Sequence, residues 1–295
     1  MTTVSVVIPV FNQAQYIGDT IESVLSQSYA VDEIIVVDDG SIDESGAIAR
    51  SFGSCVEVLS QDNAGQAVAL NRGWSRCTGS LIGYLGSDDL YDPALVETLV
   101  AASHGVARPV VVFPNYRDID SAGAVVRRDH PPAATIAAMA RAFRCDIGPG
   151  ALFSREIFRD TGGWDARFRQ IPDFEFWLRA AKFAEFRAVP EVLASWRIHA
   201  GSQTRAVSSR EKANEPLLLG SSLSTDAGRY FEGIDPVALQ ASGALLSACL
   251  HFRSRRFGTG FKTWCRAVAL DRHRNLSPAA MARVARTAVA GIAGW

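Results

Sequence analysis

Short β-branched runs alternate with segments whose apolar residues recur every three to four positions through the N-terminal part of the chain. Val4 to Pro9 has the continuous apolar character of a strand buried on both faces, and it ends in Pro9-Val10-Phe11-Asn12. Tyr16, Ile17, Thr20, Ile21, Val24 and Leu25 then line one side of a helix. Val31 to Val37 predicts a second buried strand, closed by Asp38-Asp39-Gly40-Ser41, with Asp43 or a neighbour capping a helix that runs through Phe52. Val56 to Leu59 is a third strand and Ala64 to Arg76 a helix. The run from Leu81 to Leu85 is a fourth strand and delivers Asp88 and Asp89 at its C-terminal end. Strands and helices in alternation imply right-handed crossovers, an α/β fold and a mostly parallel sheet flanked by helices.

In such a sheet ligands bind outside the carboxyl ends of the strands. Phe11 and Asn12, Asp38 and Asp39, Asn63, and Asp88 and Asp89 all fall at that edge. The last pair reads either as a solvated strand end or as a site for a cation or a ribose, because adjacent buried carboxylates repel unless something compensates them. Three successive strands bringing carboxylate, amide and aromatic groups to one crevice favour a nucleotide site. An Asp in the second loop can accept from a base or ribose, Phe11 can lie against the base, and Asp88-Asp89 can hold a divalent ion on phosphates. No Gly-x-Gly-x-x-Gly and no Walker lysine occurs, which disfavours dinucleotide oxidoreductases and P-loop enzymes.

Composition narrows the picture. The 295 residues suit one large domain or a domain with an appendage, and 48% hydrophobic with 21% charged residues gives an ordinary globular core. A formal net charge of −1 suggests no nucleic-acid partner. From Ala241 onward, however, Arg253, Arg255, Arg256, Lys262, Arg266, Arg272, Arg274, Arg283 and Arg286 face Asp271 alone, so the tail is basic. The five scattered cysteines indicate neither a zinc site nor a disulfide framework. With no long apolar run and no leader-like start, a cytoplasmic location is expected.

Val4-Ser5-Val6-Val7-Ile8-Pro9-Val10-Phe11-Asn12, Ile34-Ile35-Val36-Val37-Asp38-Asp39-Gly40-Ser41, Asn63-Ala64-Gly65 with Leu70-Asn71-Arg72-Gly73, and Leu85-Gly86-Ser87-Asp88-Asp89, in this order, resemble the serial motifs of family 2 inverting glycosyltransferases with the GT-A fold. The resemblance covers about residues 4 to 203. It implies that Pro9, Phe11 and Asp39 surround the nucleobase, usually uracil, and that Asn63 and Asn71 lie near the base or diphosphate. Asp88 would bond the ribose or sugar, and Asp89, with Asp88 beside it, would ligate Mg2+ or Mn2+. Many members have Asp where this chain has Gly86, and Ala-Arg-Asn where it has Ala69-Leu70-Asn71.

In the second half, Gly162-Gly163-Trp164-Asp165 and Pro172-Asp173-Phe174-Glu175-Phe176-Trp177-Leu178-Arg179 resemble the family's acceptor-side region, which implies Asp173 as the catalytic base and Glu175 as the fallback. The residues alone read equally as an N-cap followed by core aromatics. Ser195-Trp196-Arg197-Ile198-His199 through Thr204 looks like the segment closing such domains. There His199 could ligate the metal or contact the diphosphate and Arg197 could offset the leaving group's charge, although a lone histidine is usually structural. Gly148-Pro149-Gly150-Ala151 reads as a turn lining the acceptor cleft or as a loop before a strand. His104, His130, His251 and His273 sit in no constellation.

The expected division is a catalytic domain over 1–208 and a helical C-terminal region over 209–295, with helices at Leu217–Leu223, Pro236–Phe252, Phe261–Leu270 and Pro278–Ile292. The basic helices are either a solvated cap or a peripheral contact with the inner face of a membrane, which would suit a lipid-linked acceptor. The implied activity is transfer of a sugar from a nucleotide-sugar donor, UDP-linked by default, to a saccharide or lipid-linked hydroxyl in polysaccharide or glycolipid assembly. The rival classes are a nucleotide-sugar-binding protein without turnover and a nucleotidyltransferase.

Overall fold

The computed structural model describes residues 2–130, 135–199, 201–202, 207–230 and 235–293. In chain order the elements are β1 (Val4–Val10), α1 (Ile17–Leu25), β2 (Glu33–Asp38), α2 (Ser45–Ser51), β3 (Glu57–Ser60), α3 (Gln66–Trp74), β4 (Leu81–Tyr84), β5 (Leu90–Tyr91) and α4 (Leu95–Ser103). They continue with β6 (Val110–Ile119), β7 (Val125–His130), α5 (Ile136–Ala142), β8 (Leu152–Ser154), α6 (Arg155–Thr161), α7 (Pro172–Ala180) and β9 (Glu185–Arg197). The last helices are α8 (Arg210–Tyr230), α9 (Pro236–Arg253), α10 (Phe257–Leu270), α11 (Arg272–Asn275) and α12 (Pro278–Ala293).

Two compact units emerge. The first comprises residues 1–134, 146–167 and 179–202, and the second 135–145, 168–178 and 203–295. This division differs from a single cut at 208, because α5 and most of α7 group with the C-terminal helices. Sequence reading could not detect it: the two segments are short, and each is separated from the other pieces of the unit by more than twenty residues.

Among its described residues the first unit holds one sheet in the order β3-β2-β1-β4-β8-β6-β9-β5, with β7 added to β6. β1, β2, β3 and β4 pair in parallel, as their alternation with helices requires. The other half departs from the expected parallel pattern: β8 is antiparallel to β4 and β6, and β5 to β9, while β6 and β9 are parallel. The sheet is therefore mixed. β1 carries a proline without losing a rung. Leu85 N–H donates to Val7 O on the β4 side and Asp39 N–H to Val10 O on the β2 side, so the missing Pro9 N–H falls on the β4 side beyond its last rung. Ile17, Thr20, Ile21 and Val24 of α1 are buried at helical spacing, and the three aliphatic residues join β1, β2, α4 and β9 in the main core.

In the second unit α9 is buried along most of its length, with α8, α10 and α12 packed around it. α8 spans Arg210–Tyr230 with Pro216 inside it, longer than the helix expected over Leu217–Leu223; close packing on α9 outweighs the local cost of the proline. Among the described residues no helix is long and apolar enough to cross a membrane.

Candidate active site

Three strand ends supply the site of the first unit. Pro9 is buried at the end of β1, and Phe11 just beyond it is 45% exposed, an aromatic face presented to solvent rather than to the core. Past β2, Asp39 is almost wholly buried. Its Oδ1 accepts from Gln61 Nε2 at 2.7 Å and Ala64 N–H at 2.9 Å, and its Oδ2 from Gly65 N–H at 2.8 Å. Asp39 thereby folds the loop between β3 and α3 back over the strand end, with Asn63 exposed on that loop. Asn71 faces elsewhere: its Nδ2 donates to Trp164 O and its Oδ1 accepts from Trp164 N–H, both at 2.8 Å, so its amide ties α3 to the loop after α6.

The loop after β4 holds the densest polar cluster. Asp88 Oδ2 lies 2.9 Å from His199 Nε2, and Asp89 Oδ1 accepts the Arg197 N–H at 2.8 Å. The remaining oxygens converge. A Cβ built on Gly86 would lie 2.8 Å from Asp89 Oδ2 and 3.0 Å from Asp88 Oδ1, so both carboxylates reach into the small volume that the missing side chain leaves. Asp89 is 7% exposed, and its burial together with the charge of Asp88 holds it well above the ordinary carboxylate range, against the Arg197 amide and charge. Two oxygens aimed at one point, one from a group reluctant to ionise alone, make a donor set suited to a hard divalent cation. Among the described residues no group of three or more His, Cys, Asp or Glu is arranged for a metal; His199 bonds the outer oxygen of Asp88 instead.

Sequence reading missed Tyr16 and Thr20 as supports of this loop, and it gave Arg197 to the leaving group, whereas its guanidinium is taken up by backbone carbonyls. Arg197 is buried, and its guanidinium donates to the carbonyls of Asp88 (2.7 Å), Asp120 (3.3 Å) and Ser121 (3.4 Å) while lying 4.7 Å over the Tyr16 ring. The Tyr16 ring also packs at 4.9 Å against His199, and Thr20 donates to the Asp89 carbonyl. Both residues carry the periodic signal of a core helix, which conceals a role at its end. Of the segment expected to close the domain, Ala200, Gln203 and Thr204 lie outside the described residues. Gly148 packs on the Tyr116 ring, and the loop it opens leads into β8. His130 does have a partner: its Nε2 bonds Asp118 at 2.6 Å, and its ring stacks on Tyr116 at 4.3 Å.

Asp173 belongs to the second unit, in the first turn of α7. Burial raises its carboxyl above the usual range, opposed by hydrogen bonds from the Phe174 N–H, its own N–H and the Cys145 thiol. Glu175 is buried on the same helix.

Residues 5–162 match the model of the family described as Glycosyl transferase family 2. An uncharacterised glycosyltransferase of Rickettsia prowazekii (strain Madrid E) is 30% identical over 224 residues, which is 74% of this chain and 70% of that protein. Glycosyltransferase GlyG of Streptococcus pneumoniae serotype 4 is 38% identical over 123 residues, 40% of this chain and 41% of its own. Among solved structures, S. aureus TarS 1-349 in complex with UDP-GlcNAc superposes with a TM-score of 0.67 at 16% identity, covering 97% of this chain and 89% of that 1-349 chain. The mannosyltransferase PcManGT from Pyrobaculum calidifontis, in complex with GDP-Man and Mn2+, gives 0.54 at 17% identity, covering 99% and 87%. The mixed sheet with helices on its flanks is thus the GT-A fold, and the chain belongs to glycosyl transferase family 2.

Proposed function

We propose that this protein is an inverting glycosyltransferase that moves a sugar from a nucleotide sugar, UDP-linked by default, to a hydroxyl of a saccharide or lipid-linked acceptor. The observation that carries the reading is the convergence of Asp88 Oδ1 and Asp89 Oδ2 over Gly86 at the end of β4. The nucleotide sugars held by TarS and PcManGT on the same fold support it. Asp39 Oδ2 carries one donor and so keeps a lone pair for the N–H of a base, with Phe11 available against the ring. Asp88 and Asp89 would hold Mn2+ or Mg2+, with His199 orienting Asp88 from its outer oxygen. Such an ion supplies positive charge to the departing diphosphate.

Asp173 takes the proton of the acceptor hydroxyl. The freed oxygen attacks the anomeric carbon from the face opposite the nucleoside diphosphate, the bond to the leaving oxygen breaks, and configuration inverts. A single displacement needs a base and no protein nucleophile. A lipid-linked acceptor would be met at a membrane surface, for which the cationic C-terminal helices are suited.

A panel of UDP-, GDP- and dTDP-sugars with Mn2+, with Mg2+ or with EDTA tests the reading through nucleoside diphosphate release. Asp173→Asn is expected to slow turnover by about 10²–10⁴-fold at unchanged donor affinity. Asp89→Ala is expected to abolish the part of donor affinity that depends on the cation. Donor binding unaffected by EDTA removes the metal, full turnover in Asp173→Asn removes the base, and an anomeric proton signal of retained configuration removes inversion.

A further inference from the structure

The C-terminal helices supply none of the reacting groups, yet α7 is anchored to them. Glu215 of α8 is 4% exposed, and it reaches across more than forty positions of sequence to the turn that opens α7. Its Oε1 accepts the Arg169 N–H at 2.8 Å, and its Oε2 accepts the N–H groups of Gln170 at 2.6 Å and Ile171 at 3.3 Å. Three successive amides wrapped on one carboxylate form an anion nest, filled here by the chain's own side chain. Ser208 Oγ donates to Gln170 Oε1 at 2.7 Å and holds the same turn. The Ile171 carbonyl accepts from Glu175 N–H at 3.1 Å, and Asp173 lies between these two residues in sequence. Any shift of the nest therefore moves the Asp173 backbone with it.

A second set of contacts reaches α7 through the segment around α5, which the C-terminal helices hold in turn. Cys145, which donates to the Asp173 carboxylate, follows α5. The Arg141 carbonyl at the end of α5 takes the Ser242 hydroxyl of α9 at 3.2 Å and the Arg274 guanidinium of α11. Phe143, in the left-handed region at φ 48°, packs edge-on against Phe174 at 5.4 Å, and Gly243 of α9 closes on Phe143. An ordinary helix cap comes from a residue next to the helix. Here the carboxylate that caps the turn comes from α8, and α9 and α11 hold the α5 segment that packs against α7.

We propose that Glu215 is a positioning residue for glycosyl transfer, setting the placement of the Asp173 carboxylate by gripping the amides of Arg169, Gln170 and Ile171. The inference rests on Asp173 being the base. Its expected size follows from the steep dependence of rate on alignment, in which a misplacement of about 1 Å costs on the order of 10²-fold.

The test compares full-length wild type, Asp173→Asn, Glu215→Gln and the double variant. The probe is UDP-GlcNAc with Mn2+, or whichever donor of the panel turns over fastest; kcat, donor Kd and thermal midpoint are read together. Glu215→Gln is expected to lower kcat by about 10–100-fold with donor Kd within about twofold of wild type. The double variant is expected to be no slower than Asp173→Asn, because both changes act through one group. An unchanged kcat in Glu215→Gln beside an inactive Asp173→Asn overturns the positioning role and leaves the base standing. Full turnover in Asp173→Asn removes the base itself. Parallel loss of kcat, donor binding and thermal midpoint in Glu215→Gln makes the residue a structural one and also overturns the proposal. Should that variant not fold, Ser208→Ala loosens the same turn by one bond, and an unaltered kcat there has the same meaning.

Discussion

The Cys145 thiol and the Asp173 carboxylate form a pair in which a weak donor favours the ionised state, the state that Asp173 needs in the base role proposed for it. Burial acts the other way, so the acid limb of the kcat profile is expected above the ordinary carboxylate range. Removing the thiol in Cys145→Ala deletes a bond to the charged form, raises the carboxyl further and moves that limb to higher pH. A limb that stays in place or moves down in a kcat-versus-pH titration refutes the pairing. Asp39, Asp88 and Asp89 are legible in the sequence because each ends an apolar run, and the sheet edge is where such ends gather. Cys145 and Glu215 are not. Their partners lie far along the chain, and neither residue interrupts a periodic pattern. His251 shows the converse: a residue with no motif around it is buried against Asn214 and Arg256, and its pKa is lowered to about 4 chiefly by that burial.

At the scale of elements, the parallel half of the sheet follows from periodicity, since each strand is separated from the next by a helix of ordinary length. The antiparallel additions of β5 and β8 do not, because strands of two and three residues are too short to carry an alternation signal. Helix packing holds a sharper constraint. A Cβ on Gly243 would stand 2.4 Å from the Pro216 carbonyl oxygen, a backbone atom that no rotamer change can move aside. Gly243→Ala should therefore destabilise by about 1–3 kcal/mol, as overpacked helix contacts do. Gly258, in α10 with open space around its Cα, should accept alanine without loss. Urea denaturation of the two variants makes the comparison, and equal midpoints would show that α8 and α9 have slack at this crossing.

For the whole molecule, a net charge of −1 conceals a cationic end. On α10 the exposed residues include Phe257, Phe261, Lys262 and Arg266, and on α12 Met281, Arg286 and Val289 are exposed as well. Aromatic and aliphatic side chains among cations, without an acidic residue on either helix, suit an anionic lipid surface. Co-sedimentation with phosphatidylglycerol vesicles, and not with phosphatidylcholine vesicles, is the expected outcome at low salt, weakened by Lys262→Glu with Arg266→Glu. Failure to sediment with the anionic vesicles leaves these helices a solvated cap.

Because the second unit draws residues 135–145 and 168–178 from the middle of the chain as well as its end, no single cut separates it from the first. Homologue swaps joined near residue 208 would leave a native Asp173 resting on foreign anchors. Grafts meant to exchange the second unit must carry all three pieces together.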